Sequence, residues 1–479
     1  MISSSTNSPI TGDLLIPLER GGATALHAQL EAAIRDRIRS GRLPAGAALP
    51  PTRTLAIELG VSRGVVVEAY AQLVAEGYLA SRPGGYTRVA QAGSGDGRPS
   101  RAPVASETRP KPSVDFGYGR ANLAAFPRTA WLRSVRTVLT EAPDERLGYL
   151  DGYGAPELRQ ALTDYLNRVR GTVASAENVA ISNGYAQGVA LLLGVLAARG
   201  ARRLAVEDPS ANDDARVIGA AFGLEVVGVP VGPEGVRVEA LQHLDADALI
   251  LTPSHQWPTG AVLSAEARAA VVGWARERGA LIIEDDYDAE FRYDRAPLGA
   301  IQGLAPELVA YAGTASKTLA PGFRLGWFVL PAHIVGQFAD AKLLADRGSA
   351  VLDQLTFADF LHRGEFDRHL RRLRPVYRAR RDALVAALAR RLPDLRPAGI
   401  AAGLHLVAWL PAELDETEVV HAAAARGVAV AGLEPYRVAP SADGGLIFGY
   451  STIAESAIRR GIDLLAEAID DIRGGDRAT

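Results

Sequence analysis

The stretch YAGTASKTLAPGFRLGWFVLP, residues 311–331, sets a lysine in a turn-rich segment beyond a strand-like run, and the rest of the chain is read outward from it. Lysine is nearly absent here. Lys111, Lys317 and Lys342 are three of 52 basic residues, and arginine supplies all the others. Arginine stays protonated at every ordinary pH, whereas a lysine amine can lose its proton and form a Schiff base with an aldehyde. Lys317 sits between Gly313 and Arg324, a position that reads as a site and not as core.

Upstream, the apolar runs Leu204–Val206, Val226–Val229, Ala248–Leu251 and Ala280–Ile283 alternate with helical stretches, which predicts a parallel α/β architecture. From about Glu365 to Ile472 an arginine-rich helix is followed by mixed helices and short strands, the pattern of a smaller α+β subdomain. Pyridoxal phosphate, the aldehyde cofactor that lysines capture, needs three further groups: a carboxylate for its ring nitrogen, a phenol for its ring oxygen and a cradle for its phosphate. Asp285 follows an apolar strand and suits the first; Tyr287, two residues on, suits the second. Thr314 and Arg324 flank Lys317 and can bind phosphate, and Ser182-Asn183-Gly184-Tyr185 precedes the apolar helix Val189–Leu196, whose N-terminus is an anion site. Singly each has a plainer reading, as an acidic turn, a surface ion pair or an ordinary cap. Together in one domain they form a consistent set.

The 479 residues exceed one ordinary core, since domains run to roughly 100–200 residues. Absence of cysteine excludes disulfides, thiolate metal sites and a cysteine nucleophile, and no metal site is expected. Residues 1–11 lack the pattern of a signal peptide, and no apolar run approaches the roughly 20 residues that span a bilayer, so a cytoplasmic, membrane-free bacterial protein is expected. Net charge is -3, but Gly22–Ala90 holds eight arginines against five acids, a local excess of the sign that phosphate contact prefers. Leu26, Leu30, Ile34 and Ile38 mark one helix; Leu55–Leu59, the turn Gly60-Val61-Ser62 and a run through Val66, Tyr70, Leu73 and Val74 mark two more; alternation around Gly84-Gly85 marks a hairpin wing. That is a winged helix-turn-helix. Ser62 is placed to cap its second helix, with Arg63, Gly64 and Val65 directed at the major groove, Arg53 at phosphate or a base edge, and Gly85 allowing close approach by the wing. Residues 91–112, rich in Gly, Pro and Ser, read as a flexible linker.

The run from Gly41 to Ala90 resembles the GntR family of bacterial regulators, and TPSHQWPTG, IIEDDYDAEFRY and YAGTASKTLAPGFRLGWFVLP resemble its MocR subfamily. The resemblance implies a winged helix-turn-helix domain (22–90), a linker (91–112) and a fold-type-I aminotransferase-like domain (113–479) with its small subdomain at about 365–479. It implies pyridoxal 5'-phosphate on Lys317, Asp285 at the ring nitrogen, Tyr287 at the ring oxygen, and Gly184, Tyr185, Thr314 and Arg324 around the phosphate. A double-stranded DNA operator and a homodimer follow from the same likeness.

Three departures bear on the effector. Ala211, in Glu207-Asp208-Pro209-Ser210-Ala211, stands where an aromatic residue usually stacks on the cofactor, and Asn212-Asp213-Asp214 stand where a carboxylate-binding arginine is expected. The late strand Gly445–Tyr450 also offers no arginine, which leaves Arg437 and His255 as candidate effector contacts, while Trp257 takes the place of an asparagine. The expected function is regulation, with an amine, an amino acid or pyridoxal phosphate itself as the signal. The alternative is a working aminotransferase with an appended DNA-binding domain; residual transamination is compatible with either.

Overall fold

The computed structural model describes residues 16–21, 24–81, 86–90, 111–293, 299–441 and 443–475. Gly85, with the tip of the wing, and linker residues 91–110 lie outside the described residues. The chain divides into two compact units, Met1–Arg109 and Pro110–Thr479.

In the first unit, α1 (Leu26–Arg39), α2 (Thr52–Glu58) and α3 (Arg63–Ala75) enclose Leu30, Ile34, Ile38, Leu55, Val66, Ala69 and Leu73, and the short antiparallel strands β1 (Leu79–Ala80) and β2 (Arg88–Val89) add Leu79 and Val89 to this core. The helical spacing of these apolar residues is what turns them to one side. Gly60 takes φ +61° between α2 and α3, the left-handed conformation that lets the turn be short. Ser62 occupies the N-cap of α3 in extended backbone, yet its side chain makes no capping hydrogen bond, contrary to the sequence expectation.

The second unit runs in order through β3 (Val114–Asp115), α4 (Arg128–Glu141), α5 (Pro156–Arg170), β4 (Val179–Ser182), α6 (Tyr185–Ala198), β5 (Arg203–Asp208), α7 (Asn212–Ala221), β6 (Glu225–Gly232), β7 (Gly235–Val236), α8 (Val238–Gln242), β8 (Ala248–Leu251), α9 (Ala265–Arg278), β9 (Leu281–Asp286), β10 (Val309–Thr314), β11 (Gly326–Val329), α10 (Ala332–Asp346) and α11 (Val351–His362). It closes with α12 (Glu365–Arg391), β12 (Arg396–Ala398), β13 (His405–Trp409), α13 (Glu416–Ala425), β14 (Val428–Ala429), β15 (Ala431–Gly432), β16 (Gly445–Gly449) and α14 (Glu455–Gly475). The main sheet has the order β4-β11-β10-β9-β8-β5-β6-β7.

The four pairings from β10 to β6 are parallel, as expected, but β11 is antiparallel to both of its neighbours. The cause lies in the connection. Residues 315–325 are too few to carry the chain back for a parallel return, which takes a dozen or more residues. The Lys317 segment is therefore a turn at the carboxyl end of β10, the end at which ligands bind in open α/β sheets.

The small subdomain carries the antiparallel sheet β12-β13-β16-β15, and it is not the contiguous C-terminal block that the sequence suggests. β3 pairs in parallel with β14, Ser113 bonds the Gly427 carbonyl, and Phe116 packs edge-on to Phe448 at 5.2 Å. A segment from the start of the unit thus completes its end.

The main sheet also buries carboxyl groups. Burial pushes Glu207 up to about 7 against hydrogen bonds from Thr252, and burial, reinforced by Asp286, pushes Glu284 up to about 7. A pKa raised by folding means that the folded chain holds the extra proton. The corresponding stability is complete below about pH 4.5 and is lost as pH rises to about 7. The melting temperature is expected to decline across that window and Glu207→Gln to flatten the decline; an identical slope in the variant would exclude Glu207 as a contributor.

Candidate functional site

Strand ends of the main sheet and the Lys317 turn surround a cavity of about 310 Å³, lined by Tyr118, Gly119, Tyr185, Ala186, Ala211, Trp257, Asp285, Tyr287, Thr314, Ser316, Lys317, Arg324 and Tyr436. Six of the seven residues expected at a cofactor are in this lining, and Gly184 adjoins it as the N-cap of α6.

Asp285 owes its direction to strand alternation. Glu284 and Asp286 point to one face of β9, where Asp286 pairs with buried Arg170 at 2.6 Å, so Asp285 points to the other, into the cavity. Burial raises the Asp285 carboxyl well above its ordinary range and Asp286 adds to that, while Lys317 and a hydrogen bond from Tyr185 act in the opposite sense. A desolvated carboxyl of this kind gains most from a cationic partner such as a protonated ring nitrogen.

The Tyr287 hydroxyl lies 3.0 Å from His255 Nδ1 and donates to the His255 carbonyl at 3.0 Å, and the same Nδ1 lies 3.0 Å from Asp288 Oδ2. Burial, then Asp288, raises the Tyr287 pKa and keeps it a phenol. His255, an expected effector contact, is buried, bonded to Tyr287, and does not line this cavity. His405 joins this group, and ligand-type atoms of His255, Asp288 and His405 lie within 4.8 Å of one another. Hydrogen bonds account for that convergence, because His405 Nε2 is 3.0 Å from the Pro258 carbonyl and burial holds His405 neutral.

Around Gly184 the donors suit an anion. Gly184 has φ +83°, and a Cβ there would stand 2.9 Å from Arg324 Nη2. Arg324 itself is left-handed at φ 49°, a conformation rare for a residue with a side chain, and its guanidinium donates to the Asn183 carbonyl at 2.9 Å. Ser316, Thr314 and the first amides of α6 complete the cradle, with the Thr314 and Ser316 hydroxyls 3.0 Å apart. The Tyr185 side chain turns to Asp285, so its share of an anion site is its backbone N–H. Behind the loop, Asp346 accepts from Asn183 at 2.8 Å, Gln187 at 2.7 Å and buried Lys342 at 2.6 Å. This fixes the entry to α6.

Lys317 Nζ donates to the Gly119 carbonyl at 2.7 Å. Gly119 and Tyr118 come from the segment that follows β3, which no motif in the sequence singled out; Ser316 and Tyr436 were likewise unassigned. Tyr118 and Tyr436 touch through their hydroxyls, and Trp257 packs on Tyr118 with centroids 4.6 Å apart. Trp257 Nε1 is buried and has no acceptor among the described residues.

The segment bearing Tyr436 is tied to the end of β5: Ser210 N–H donates to the Tyr436 carbonyl at 3.0 Å, Asp208 accepts from Val438 and Ala439, each at 2.9 Å, and Arg216 donates to the Arg437 carbonyl at 2.8 Å. Arg437, a candidate effector contact from the sequence, directs its guanidinium to the Asp443 carbonyl at 2.6 Å and is not in the lining. The side chains of Asn212, Asp213 and Asp214 lie outside the described ones.

In the first unit Arg63 and Gly64 are exposed at the N-terminus of α3, Val65 is partly exposed, and Arg53 is exposed in the first turn of α2. Ser62 precedes them, also exposed.

A helix-turn-helix unit and an aminotransferase-type α/β unit on one chain define a class, that of DNA-binding regulators built on an enzyme fold. The family aminotransferase class I and II matches residues 119–446, and bacterial regulatory proteins, gntR family, matches residues 26–89. The chain is 32% identical over 466 residues to the HTH-type pyridoxine biosynthesis transcriptional regulator PdxR of Corynebacterium glutamicum, covering 95% of this chain and 99% of that one. It is 32% identical over 478 residues to the probable rhizopine catabolism regulatory protein MocR of Rhizobium meliloti, covering 95% and 96%. The crystal structure of LysN, an α-aminoadipate aminotransferase of Thermus thermophilus complexed with N-(5'-phosphopyridoxyl)-L-leucine, matches with a TM-score of 0.67 and 25% identity over 75% of this chain and 93% of that one. The chain belongs to the MocR subfamily of GntR transcription regulators.

Because the desolvated Asp285 carboxyl opposes folding once ionised, Asp285→Asn is expected to raise the melting temperature of the ligand-free protein by about 2 °C per kcal/mol recovered. The gain should grow as pH rises above the ordinary aspartate pKa of 3.8, and a lower melting temperature in the variant would contradict the assignment.

Proposed function

We propose that this protein is a pyridoxal-5'-phosphate-dependent transcription regulator in which Lys317 captures the cofactor and the occupancy of its cavity controls binding of a double-stranded DNA operator. One observation carries the reading: an amine, a desolvated carboxyl, a buried phenol and an anion cradle, from Lys317, Asp285, Tyr287 and the Gly184–Arg324 corner, line one cavity on a chain that also holds a helix-turn-helix. Buried donors and acceptors need partners, and this set matches the cofactor group by group. When bound, pyridoxal phosphate supplies an aldehyde that a primary amine takes up with loss of water.

Each residue then has a task. Lys317 provides the amine, positioned through the Gly119 carbonyl. Asp285 holds a proton on the ring nitrogen by charge. Tyr287, kept a phenol and oriented by His255 and Asp288, donates to the ring oxygen. Gly184, Tyr185 and Ala186 through backbone amides, Thr314 and Ser316 through hydroxyls, and Arg324 through its guanidinium hold the phosphate. An amine, an amino acid or the cofactor itself acts as signal by favouring one of two states that differ in DNA affinity.

Turnover as an aminotransferase demands a firmly oriented substrate. Among the described lining residues only Lys317 and Arg324 are cationic, and both serve the cofactor. Regulation is therefore the better reading. Exposed Leu132 and Leu139 on one stripe of α4, with Leu147 and the almost fully exposed Tyr149, support a homodimer, which also suits paired DNA half-sites. Among the described residues no helix is long and apolar enough to cross a membrane, and a DNA target supports a cytoplasmic location.

Titration with pyridoxal 5'-phosphate should produce a visible absorbance band, and borohydride reduction followed by peptide mapping should find the adduct on Lys317. Lys317→Ala should fold and lose the band; an undiminished band or an adduct elsewhere would refute the capture role. For DNA, Arg63→Ala is expected to weaken binding to a sequence selected from a random pool by roughly tenfold to a hundredfold while cofactor uptake is unchanged. Unaltered affinity would remove Arg63 from base reading.

A further inference from the structure

The part of the lining that the cofactor groups leave unclaimed is apolar and aromatic: Tyr118, Trp257, Tyr436 and Ala211. The three rings lie with centroids 4.6 to 6.0 Å apart, and behind them Val407, Leu433 and Ile447 form a buried cluster. Ile447 lies in β16, the late strand in which no arginine was found.

The nearby arginines are engaged elsewhere. Arg437 donates to the Asp443 carbonyl, Arg216 to the Arg437 and Pro435 carbonyls, and Arg120 pairs with Asp115. None of the three lines the cavity. The Asp208 carboxylate accepts two backbone N–H groups and is likewise committed.

A carboxylate set among these rings would lose hydration, and the cations of the described lining, Lys317 and Arg324, are already assigned to the cofactor, so its charge would stay unpaired, which is strongly unfavourable. Ring faces carry negative potential and repel it further, whereas they favour a cation or an apolar tail.

We infer that the effector is a primary amine without a carboxylate, bearing a small apolar or aromatic tail that sits against Tyr118, Trp257 and Tyr436. This rests on the proposed capture of pyridoxal phosphate by Lys317. At about 310 Å³ the cavity is at the small end of ligand pockets, so the tail is short. Lys317 exchanges with the effector in balance: the carbon–nitrogen double bond to its Nζ is replaced by one to the effector's nitrogen, and the two protons that this nitrogen loses appear on the freed lysine amine.

The test uses the full-length protein loaded with pyridoxal 5'-phosphate and two matched pairs, phenethylamine against phenylalanine and n-butylamine against 4-aminobutyrate. Readouts are the visible absorbance band and, by anisotropy, affinity for a selected DNA. The amine of each pair should shift the band at a concentration at least tenfold lower than its carboxylate partner. Ala211→Arg, at an exposed position in the lining, should narrow that ratio at least tenfold. Equal or better response to the carboxylate partners would overturn the inference, as would a loaded protein that responds to neither, which would leave the cofactor itself as the signal. Failure of the protein to take up pyridoxal phosphate on Lys317 would instead overturn the reading beneath it and this inference with it.

Discussion

The buried ion pair between Arg170 and Asp286 organises the second unit. Arg170, the last residue of α5, reaches Asp286 at 2.6 Å and the Ser254 hydroxyl at 2.8 Å, while the Tyr311 hydroxyl on β10 donates to the same carboxylate at 2.7 Å. Both side chains are buried, so each charge needs the other and the pair holds only while it is whole. Loss of one member of such a pair costs about 3–5 kcal/mol, because the other remains buried and uncompensated. Four pieces of the chain meet there: α5, β9, β10 and the segment leading to Trp257. The pair also bears on which of two adjacent aspartates faces the cavity. With Asp286 fixed on one side of β9, alternation leaves Asp285 on the other.

Much of this was legible from local pattern. Apolar runs gave the parallel strands β5, β6, β8 and β9, helical spacing gave α1 to α3, and the rarity of lysine drew attention to Lys317. These signals are local because a strand or helix declares itself within a few residues. What escaped depends on contacts distant in sequence. Nothing in Tyr118-Gly119 announces that it reaches Lys317, 198 residues away, since β3 must first pair with β14. The reversed β11 was hidden because direction follows from the length of a connection and not from composition. His255 and Arg437 were read from residue type and place in the sequence, neither of which shows which partners packing gives them.

Sensing and catalysis make different demands on one fold. A catalyst must hold the substrate still at both ends; a sensor needs only that occupancy matter to some other equilibrium. This cavity gathers an amine, a carboxyl, a phenol and an anion cradle, and rings in place of charges line the remaining space. The tie between the end of β5 and the segment carrying Tyr436 joins the two parts of the unit across that space, with Asp208, Ser210 and Arg216 all bonded to backbone of residues 436–439. These bonds depend on one another, so this side of the cavity is held as a block.

Lys342 has a consequence for the stoichiometry of labelling. Pyridoxal phosphate is an indiscriminate electrophile that decorates accessible lysines on most proteins. Here one of three lysine side chains is buried beneath Asp346 and Ser349, and only Lys111 and Lys317 remain to compete. Aldehyde modification of the native chain is thereby narrowed to two lysines, the exposed Lys111 and Lys317 in the cavity, and peptide mapping tells the two apart.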